Sequence, residues 1–474
     1  MATKKKDTGV AGLPAEMMVS GSGWGNDFPS LNTLLKKNDK KGLFKHSTVS
    51  MGFPTGFLPL DYRNGYKTKV FGHDDTVVEE YNNIGIFGGT FNTIIGKTGT
   101  AKSTIAAQLS ANISKFCYMK FGIPAEIYHL DAERAMNYTR IKTVTNMPID
   151  ILKNVYHLTR DVSYIEDIQE MMEQTAILKE ENKETFQVDT GLKDEFGDPM
   201  KIFIPTIWII DSLPSVTIKS KNLKKRKTED AIATIEDLGG EKDDMQANRI
   251  AKAISRFYKQ MLPLVNKYNY IVFVINHINK KIETGNMPTA PQTMYLKMDE
   301  AVPCGFAPLY YAQNILKIVV DEKFFMNKDS STYPIDGFRA NIELLKSRSN
   351  KAGQACKLIY DQEKGFDPLM SLYDYLCYDK KLIEGRNPSR YIKGFENIKF
   401  NSNNFVDEVH SNPELYKALM SVSSAALDEI LSNNKFSAQP SMNDVELIYH
   451  RLNESQENET FEGDDEVVNT QEIA

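Results

Sequence analysis

The chain has little cysteine, only two tryptophans and no long apolar run. Its four cysteines are Cys117, Cys304, Cys356 and Cys377 in 474 residues. Their spacing makes no metal-ligating or redox pair, so a disulfide scaffold and a zinc module are excluded and free thiols in a reducing compartment are expected. The longest apolar runs, such as 270–275, are strand-sized and fall far short of the ~20 residues that cross a bilayer. The first residues carry charges with no apolar stretch behind them, which does not match a secretory signal. A surplus of basic charge is also missing. There are 57 Lys and Arg against 63 Asp and Glu, a net charge of −6. As an average, that argues against a polyanionic partner.

What is present is a globular composition, 41% hydrophobic and 25% charged. This excludes a mostly disordered or collagen-like chain. The length implies roughly two to three domains. The charge is unevenly spread. Residues 452–474 hold eight acids and no Lys or Arg, so the rest of the chain carries +2. That body contains six cations without an intervening acid at Lys219, Lys221, Lys224, Lys225, Arg226 and Lys227.

Along the chain, residues 1–48 are polar and rich in Lys, Gly, Ser and Asn, and read as a flexible arm or oligomerisation segment with a short helix near Leu31. Strand-like and helix-like segments then alternate. Residues 91–95, 125–130, 207–210 and 270–275 read as strands. Residues 103–116 have helical spacing, with Ile105, Leu109 and Ile113 on one face. Ser163 and Glu166 form a capping-box pattern opening a helix that buries Ile165, Ile168, Met172 and Ala176. Residues 246–265 form a long helix. Such alternation predicts an α/β fold, a mainly parallel sheet with helices on both faces. Residues 180–201 read as an inserted surface loop, and 280–305 as a long polar loop with three prolines. Residues 381–452 read as a small, mainly helical region and 453–474 as a disordered acidic tail.

The strongest local signal is Gly96-Lys97-Thr98-Gly99-Thr100-Ala101-Lys102-Ser103, followed by Thr104. It lies between a predicted strand and a predicted helix, the context that the P-loop pattern requires. Loop amides and the helix N-terminus would surround the phosphates of ATP, and the Lys102 ammonium would reach the outer ones. The Ser103 hydroxyl would bind Mg2+. Ala101 stands where the pattern has Gly, and Ala resists a positive φ. A Walker-B partner is a strand ending in an acid, and Ile207-Trp208-Ile209-Ile210-Asp211 supplies it, with Asp211 as the second Mg2+ contact.

Further segments resemble the RecA-type DNA recombinases, most closely the UvsX-type recombinases of large tailed bacteriophages. Asp131-Ala132-Glu133-Arg134 looks like the family's D-A-E segment, whose Glu polarises the attacking water. The resemblance implies that Glu133 is the general base and that Arg140, or nearby Tyr138, stacks on adenine. Asn276-His277 matches the polar sensor at a strand end, which implies a catalytic role for His277. Lys346-Ser347-Arg348 matches the cation pair that reaches the neighbouring subunit's ATP. On a strand, residues two apart face one side, so Lys346 and Arg348 can point at one triphosphate. Thr55-Gly56-Phe57-Leu58-Pro59-Leu60-Asp61 resembles the family's lead-in, and Lys227-Thr228-Glu229-Asp230-Ala231 its stretch after Walker B. The resemblance covers residues 49 to about 375 and implies a RecA-like P-loop ATPase core over 49–380. One departure is Pro303-Cys304-Gly305, where the family often has Gly-Gly.

Two DNA-facing loops follow from the resemblance, at about 214–245 and 280–305. The first contains the run Lys219 to Lys227. The second carries Lys280, Lys281, Lys297, Met287, Met294 and Tyr295, of which Met294 and Tyr295 are candidates for stacking against bases. The implied activity is a DNA-dependent ATPase that forms head-to-tail helical filaments on single-stranded DNA and exchanges strands with homologous duplex. That activity serves recombination, repair and recombination-dependent replication. The cofactors would be ATP and Mg2+. The acidic tail would compete with DNA or contact single-strand-binding and mediator proteins. No membrane partner is expected, and the compartment would be the cytoplasm, that of the infected host for a phage protein. The alternatives are a hexameric helicase or other RecA-fold motor, and an ATP-binding switch that needs no DNA. Removing residues 452–474 should tighten single-stranded DNA binding at low salt and lose that advantage at high salt. Equal affinity across a salt titration would refute a regulatory role for the tail.

Overall fold

A computed structural model describes residues 50–72, 76–219, 243–280, 295–297, 300–325 and 335–432. Its centre is a nine-stranded sheet. In chain order the strands are β1 (Thr90–Gly96), β2 (Glu126–Asp131), β3 (Tyr156–Thr159), β4 (Thr206–Asp211), β5 (Tyr270–His277), β6 (Asn314–Phe325), β7 (Ile335–Ser347), β8 (Gln354–Asp361) and β9 (Gly365–Asp367). The spatial order is β9-β8-β7-β6-β1-β5-β4-β2-β3. The pairs from β6 through to β3 are parallel, and the remaining three, at the β9 edge, are antiparallel. This is an α/β fold with a mostly parallel sheet, compatible with a RecA-like core.

The strands form because their residues are bulky and apolar on both faces, as a sheet covered on each side requires. Ile207 and Ile209 of β4, with Ile271, Phe273 and Ile275 of β5, enter the core on one face. Trp208 and Ile210, with Tyr270, Val272 and Val274, enter the core on the other. Helix α1 (Lys102–Phe121) covers the first face through Ile105, Leu109 and Ile113. Its end is capped by Gly122 in the left-handed region, whose N–H donates to the Tyr118 carbonyl. Helices α2 (Ile165–Glu181) and α3 (Asp243–Lys267) cover the second face. In α2, Ile165, Ile168, Met172 and Ala176 are buried, as the spacing predicts.

Three expectations change. The capping box at Ser163 is not made. Tyr164 is the N-cap, and the Glu166 carboxylate instead accepts from the Lys219 backbone N–H at 3.1 Å. The helix start is tied to the chain beyond β4 by reciprocal main-chain bonds, Thr217 N–H to the Ser163 carbonyl and Ile165 N–H to that of Thr217. Residues 180–201 are no loop. They hold a short helix, Lys183–Phe186, and the first strand of a hairpin, Gln187–Lys193 with Pro199–Phe203. Thr190, Met200 and Phe203 are buried there, and the Tyr81 hydroxyl donates to the Lys193 carbonyl. Finally, the region past residue 380 is not mainly helical from its start. Strands Ile383–Arg386, Ser389–Ile392 and Phe395–Phe400 form a small antiparallel sheet before helices Phe405–Ser411 and Pro413–Ser432. Ile383, Ile392 and Phe400 pack with Leu415, Leu419 and Leu427 in a separate core. The arm over residues 1–48 and the tail over 453–474 lie outside the described residues.

The four cysteines are unpaired. Among the described residues no helix is long and apolar enough to cross a membrane. An unexpected buried charge is Lys179 of α2. Its ammonium donates to the carbonyls of Ile204 (2.6 Å) and Tyr268 (3.1 Å) and lies 5.0 Å from the Tyr270 ring centroid. Burial lowers its pKa to about 7. The unfolded chain therefore holds this proton in a window, between about 7 and the ordinary lysine value, where the folded chain has released it. Stability should rise with pH through that window, by at most about 1.4 kcal/mol per pH unit. Urea unfolding at successive pH values should show the slope in the native chain, and Lys179→Met should remove it.

Candidate functional site at the carboxyl edge of the parallel strands

β1, β5, β4 and β2 are neighbours and parallel, so their carboxyl ends share one edge. The register aligns those ends. Gly96 lies opposite His277, and Asp131 opposite Asp211. In open α/β sheets this edge is where ligands bind. β2, β4 and β5 each end there in a polar residue, and β1 ends in Gly96 ahead of a turn.

β1 delivers the turn into α1. Gly96 has no space for a side chain, because an added Cβ would lie 2.8 Å from the Thr100 hydroxyl and 2.9 Å from the Ile318 carbonyl. The Thr100 hydroxyl donates to the Lys97 carbonyl at 2.9 Å and closes the turn. Lys97, Thr98 and Gly99 are exposed at its tip, whereas Lys102 and Thr104 are buried, and Ser103 is half-buried. The Lys102 ammonium curls back onto the carbonyls of Gly96 (3.1 Å) and Lys97 (2.8 Å). Burial lowers its pKa, while the carboxylates of Asp211 and Glu133 act in the opposite direction. Ala101 is held at φ 59° and ψ 34°. The left-handed conformation expected of a glycine is thus imposed on an alanine.

β2 and β4 deliver acids. The Asp131 carboxylate accepts from the backbone N–H groups of Ala135 (3.0 Å) and Met136 (2.9 Å), which folds the segment carrying Glu133 over the strand end. Asp211 is buried, and its Oδ2 accepts no hydrogen bond. His129 Nε2 lies 3.5 Å from that oxygen, and His129 Nδ1 is 2.7 Å from the Tyr156 hydroxyl. Burial holds the Tyr156 hydroxyl protonated, with its pKa well above the usual tyrosine value. His129 and Tyr156 were not singled out from sequence. His129 sits in an apolar strand and reads there as core.

Glu133 is the meeting point. Its Oε1 accepts from the Ser212 hydroxyl, lies 2.9 Å from His277 Nε2 and 3.5 Å from the Ser215 hydroxyl. Burial alone would raise its pKa, but the hydrogen bonds from His277 and then Ser212 outweigh it and hold the carboxyl below its ordinary value. Asn276 accepts from the His277 backbone N–H at 2.8 Å and donates to the Pro303 carbonyl at 3.1 Å. The strand end is thereby joined to the chain returning towards the short helix Ala307–Tyr310. Ser212 and Ser215 were also missed. Nothing in the local sequence pairs them with a residue some eighty positions earlier.

Other candidates lie elsewhere. The Lys346 ammonium donates to the carbonyls of Leu309 (3.0 Å) and Tyr310 (2.7 Å), and the Arg348 guanidinium to the same Tyr310 carbonyl (3.2 Å). The two cations converge on one carbonyl, although β7 ends at Ser347 and Arg348 lies just beyond it, so shared strand alternation is not what brings them together. No hydrogen bond or ion pair among the described residues joins them to Glu133 or Lys102. Arg140 donates to the Glu363 carbonyl (2.6 Å) and to the Tyr360 hydroxyl (3.1 Å), at the β8–β9 turn. The Tyr138 hydroxyl is engaged by the main chain of Tyr156 and Leu158. Lys219 pairs with Asp167 and lies 5.9 Å from the Tyr164 ring centroid. The Lys297 backbone N–H donates to Glu300 at 3.1 Å, and the half-buried Glu300 pairs with the buried Lys317 at 2.8 Å. Tyr295 packs beside Lys346. In the lead-in segment, Asp61 accepts from Thr55 and Gly56 and closes that turn. Lys221, Lys224, Lys225, Arg226, Lys227, Lys281, Met287 and Met294 lie outside the described residues, as does the side chain of Lys280.

Among the described residues no cluster of three or more His, Cys, Asp or Glu is arranged to hold a metal ion. A Mg2+ ion held mainly by phosphates and water needs only one or two protein oxygens, and the orphaned Asp211 Oδ2 fits that demand. No protein-family model matches the chain, and no curated protein matches it.

A left-handed alanine costs roughly 1–2 kcal/mol, partly offset by the greater unfolded-state freedom of glycine. Ala101→Gly should therefore stabilise the chain by up to about 1 kcal/mol. The urea midpoint should rise with an unchanged slope.

Proposed function

We propose that the chain is an ATP-dependent DNA recombinase of the RecA type, which polymerises on single-stranded DNA and pairs it with homologous duplex. The observation that carries this reading is Glu133, hydrogen-bonded by Ser212 and His277 at the strand edge that also bears Asp211 and the turn ahead of Lys102. A carboxylate whose pKa is held below its ordinary value, at the strand edge that carries this turn, suits a general base for water attack on a phosphoryl group.

The residues divide the work as follows. The amides of the 96–104 turn would receive the phosphates at the N-terminus of α1. Lys102 would exchange the carbonyls of Gly96 and Lys97 for phosphate oxygens. Ser103 and Asp211 would hold Mg2+, which would supply charge neutralisation for the outer phosphates. Glu133 would orient the attacking water and accept its proton, with Ser212 fixing the carboxylate and His277 sensing the phosphate. Asn276 would carry that signal to Pro303, at the end of the second DNA-facing loop. Lys346 and Arg348 would complete the site from the adjoining subunit, and their convergence on one carbonyl supports a joint role.

ATP turnover should depend on single-stranded DNA and rise cooperatively with protein concentration. Glu133→Gln should lower turnover by about 10²- to 10⁴-fold while leaving binding of a fluorescent ATP analogue intact. Negative-stain microscopy with single-stranded DNA and a non-hydrolysable analogue should show helical filaments. Closed six-membered rings would overturn the recombinase in favour of a helicase-type motor, and full turnover without DNA would count against both.

A further inference from the structure

Two residues that sequence analysis places in different machinery are in contact. Tyr295 belongs to the second DNA-facing loop and Lys346 to the cations acting across the subunit interface. The Lys346 side chain is buried. Its ammonium has three N–H bonds, two of them directed at the Leu309 and Tyr310 carbonyls. The Tyr295 ring lies over the ammonium, its centroid 5.7 Å from Nζ. The ring is itself seated on the small apolar cluster of Ile95, Leu309, Ala312 and Ile315. Burial, and after it the charge of Arg348, lowers the Lys346 pKa to about 8. The ammonium is thus engaged within its own subunit on a side chain that is largely buried.

We propose that Tyr295 caps Lys346 in a withdrawn position, and that single-stranded DNA frees Lys346 for the neighbouring subunit's triphosphate by drawing the Tyr295 ring into base stacking. The proposal rests on the reading of the chain as a DNA-dependent ATPase with cations acting between subunits. It makes Tyr295 a positioning residue, acting through Lys346 rather than on the nucleotide.

The energetics allow the exchange. The attraction of a ring face for an ammonium and that of an aromatic side chain for a stacked base are of similar size. One ring cannot serve both, so DNA bound through Tyr295 has the differential affinity that a shift between two states requires. The ring's neighbours limit how far it can move. Glu300 is fixed by Lys317 through two contacts of 2.8 Å and accepts from the Lys297 backbone N–H at 3.1 Å. The segment is therefore held two residues beyond Tyr295. The movement proposed is a swing of the Tyr295 side chain without loss of this anchor.

The test compares ATP turnover of the full chain with and without single-stranded DNA in four proteins. These are the native chain, Tyr295→Leu, Tyr295→Phe and the double variant Tyr295→Leu with Lys346→Ala. Leu keeps the apolar packing and removes the ring face, whereas Phe keeps both. DNA-free turnover of Tyr295→Leu should rise about fivefold, the equivalent of a lost contact of about 1 kcal/mol. The double variant should lose that gain, and Tyr295→Phe should restore the DNA dependence that Tyr295→Leu lacks. A native chain stimulated by DNA, with Tyr295→Leu no faster without DNA than the native chain, overturns the cap alone. A gain that persists in the double variant also overturns it, because the effect would then not pass through Lys346. A native chain that hydrolyses no ATP with or without DNA overturns the underlying ATPase reading and the cap with it.

Discussion

Parallel pairing of β4 with β5 on one side and β2 on the other is the constraint from which the rest of the structure follows. Three strands running the same way must end on the same edge, and their register sets which residues emerge there. Because both faces of these strands are buried, polar side chains are excluded along most of their length and collect where the strands stop. Asp131, Asp211, Asn276 and His277 emerge at this edge for that reason. A one-residue slip of β4 against β2 would separate the two aspartates and turn Trp208 and Ile210 towards the wrong core.

Several charged groups singled out above are held by another part of the same subunit, whereas the Asp211 Oδ2 at this edge is not. Lys102 donates to its own turn, Glu133 is held by Ser212 and His277, and Lys346 is covered by two carbonyls and a ring. An unpaired buried charge is expensive, and on the proposed reading these contacts are provisional partners that a nucleotide would replace. Those partners are weak enough to exchange. A main-chain carbonyl offers an ammonium less than a phosphate oxygen does, since the latter adds a charge-assisted bond. The depressed pKa values of Lys102 and Lys346 express the same incomplete compensation.

The legible parts of the sequence were those with a local physical signature. The 207–210 run is β-branched and aromatic over strand length, and it emerges as a fully buried strand. The helix after Lys102 shows its apolar face at i, i+4 and i+8, and that face is buried. Residues 180–201 were misread because Gly191, Gly197 and Pro199 are turn formers. The hairpin is instead held by partners far away, such as Tyr81. Residues 383–400 failed for a similar reason. Gly385, Pro388 and Gly394 interrupt the alternation, and the three short strands are justified only by the core formed with helices further along the chain. The capping box at Ser163 was a sound local option that a tertiary contact with Thr217 displaced.

By itself the sequence determined the alternation of strands and helices, the turn ahead of Lys102 and the identity of the acids that end the strands. Each of these depends on periodicity or on conformational preference within a few residues. Only the tertiary structure decided that Glu133 meets His277 and Ser212, that His129 faces Asp211, and that Tyr295 lies over Lys346. Those pairs join residues from roughly fifty to more than a hundred positions apart. Their meeting is set by strand order and register, which arise from the packing of whole helices against both faces of the sheet and leave no local trace.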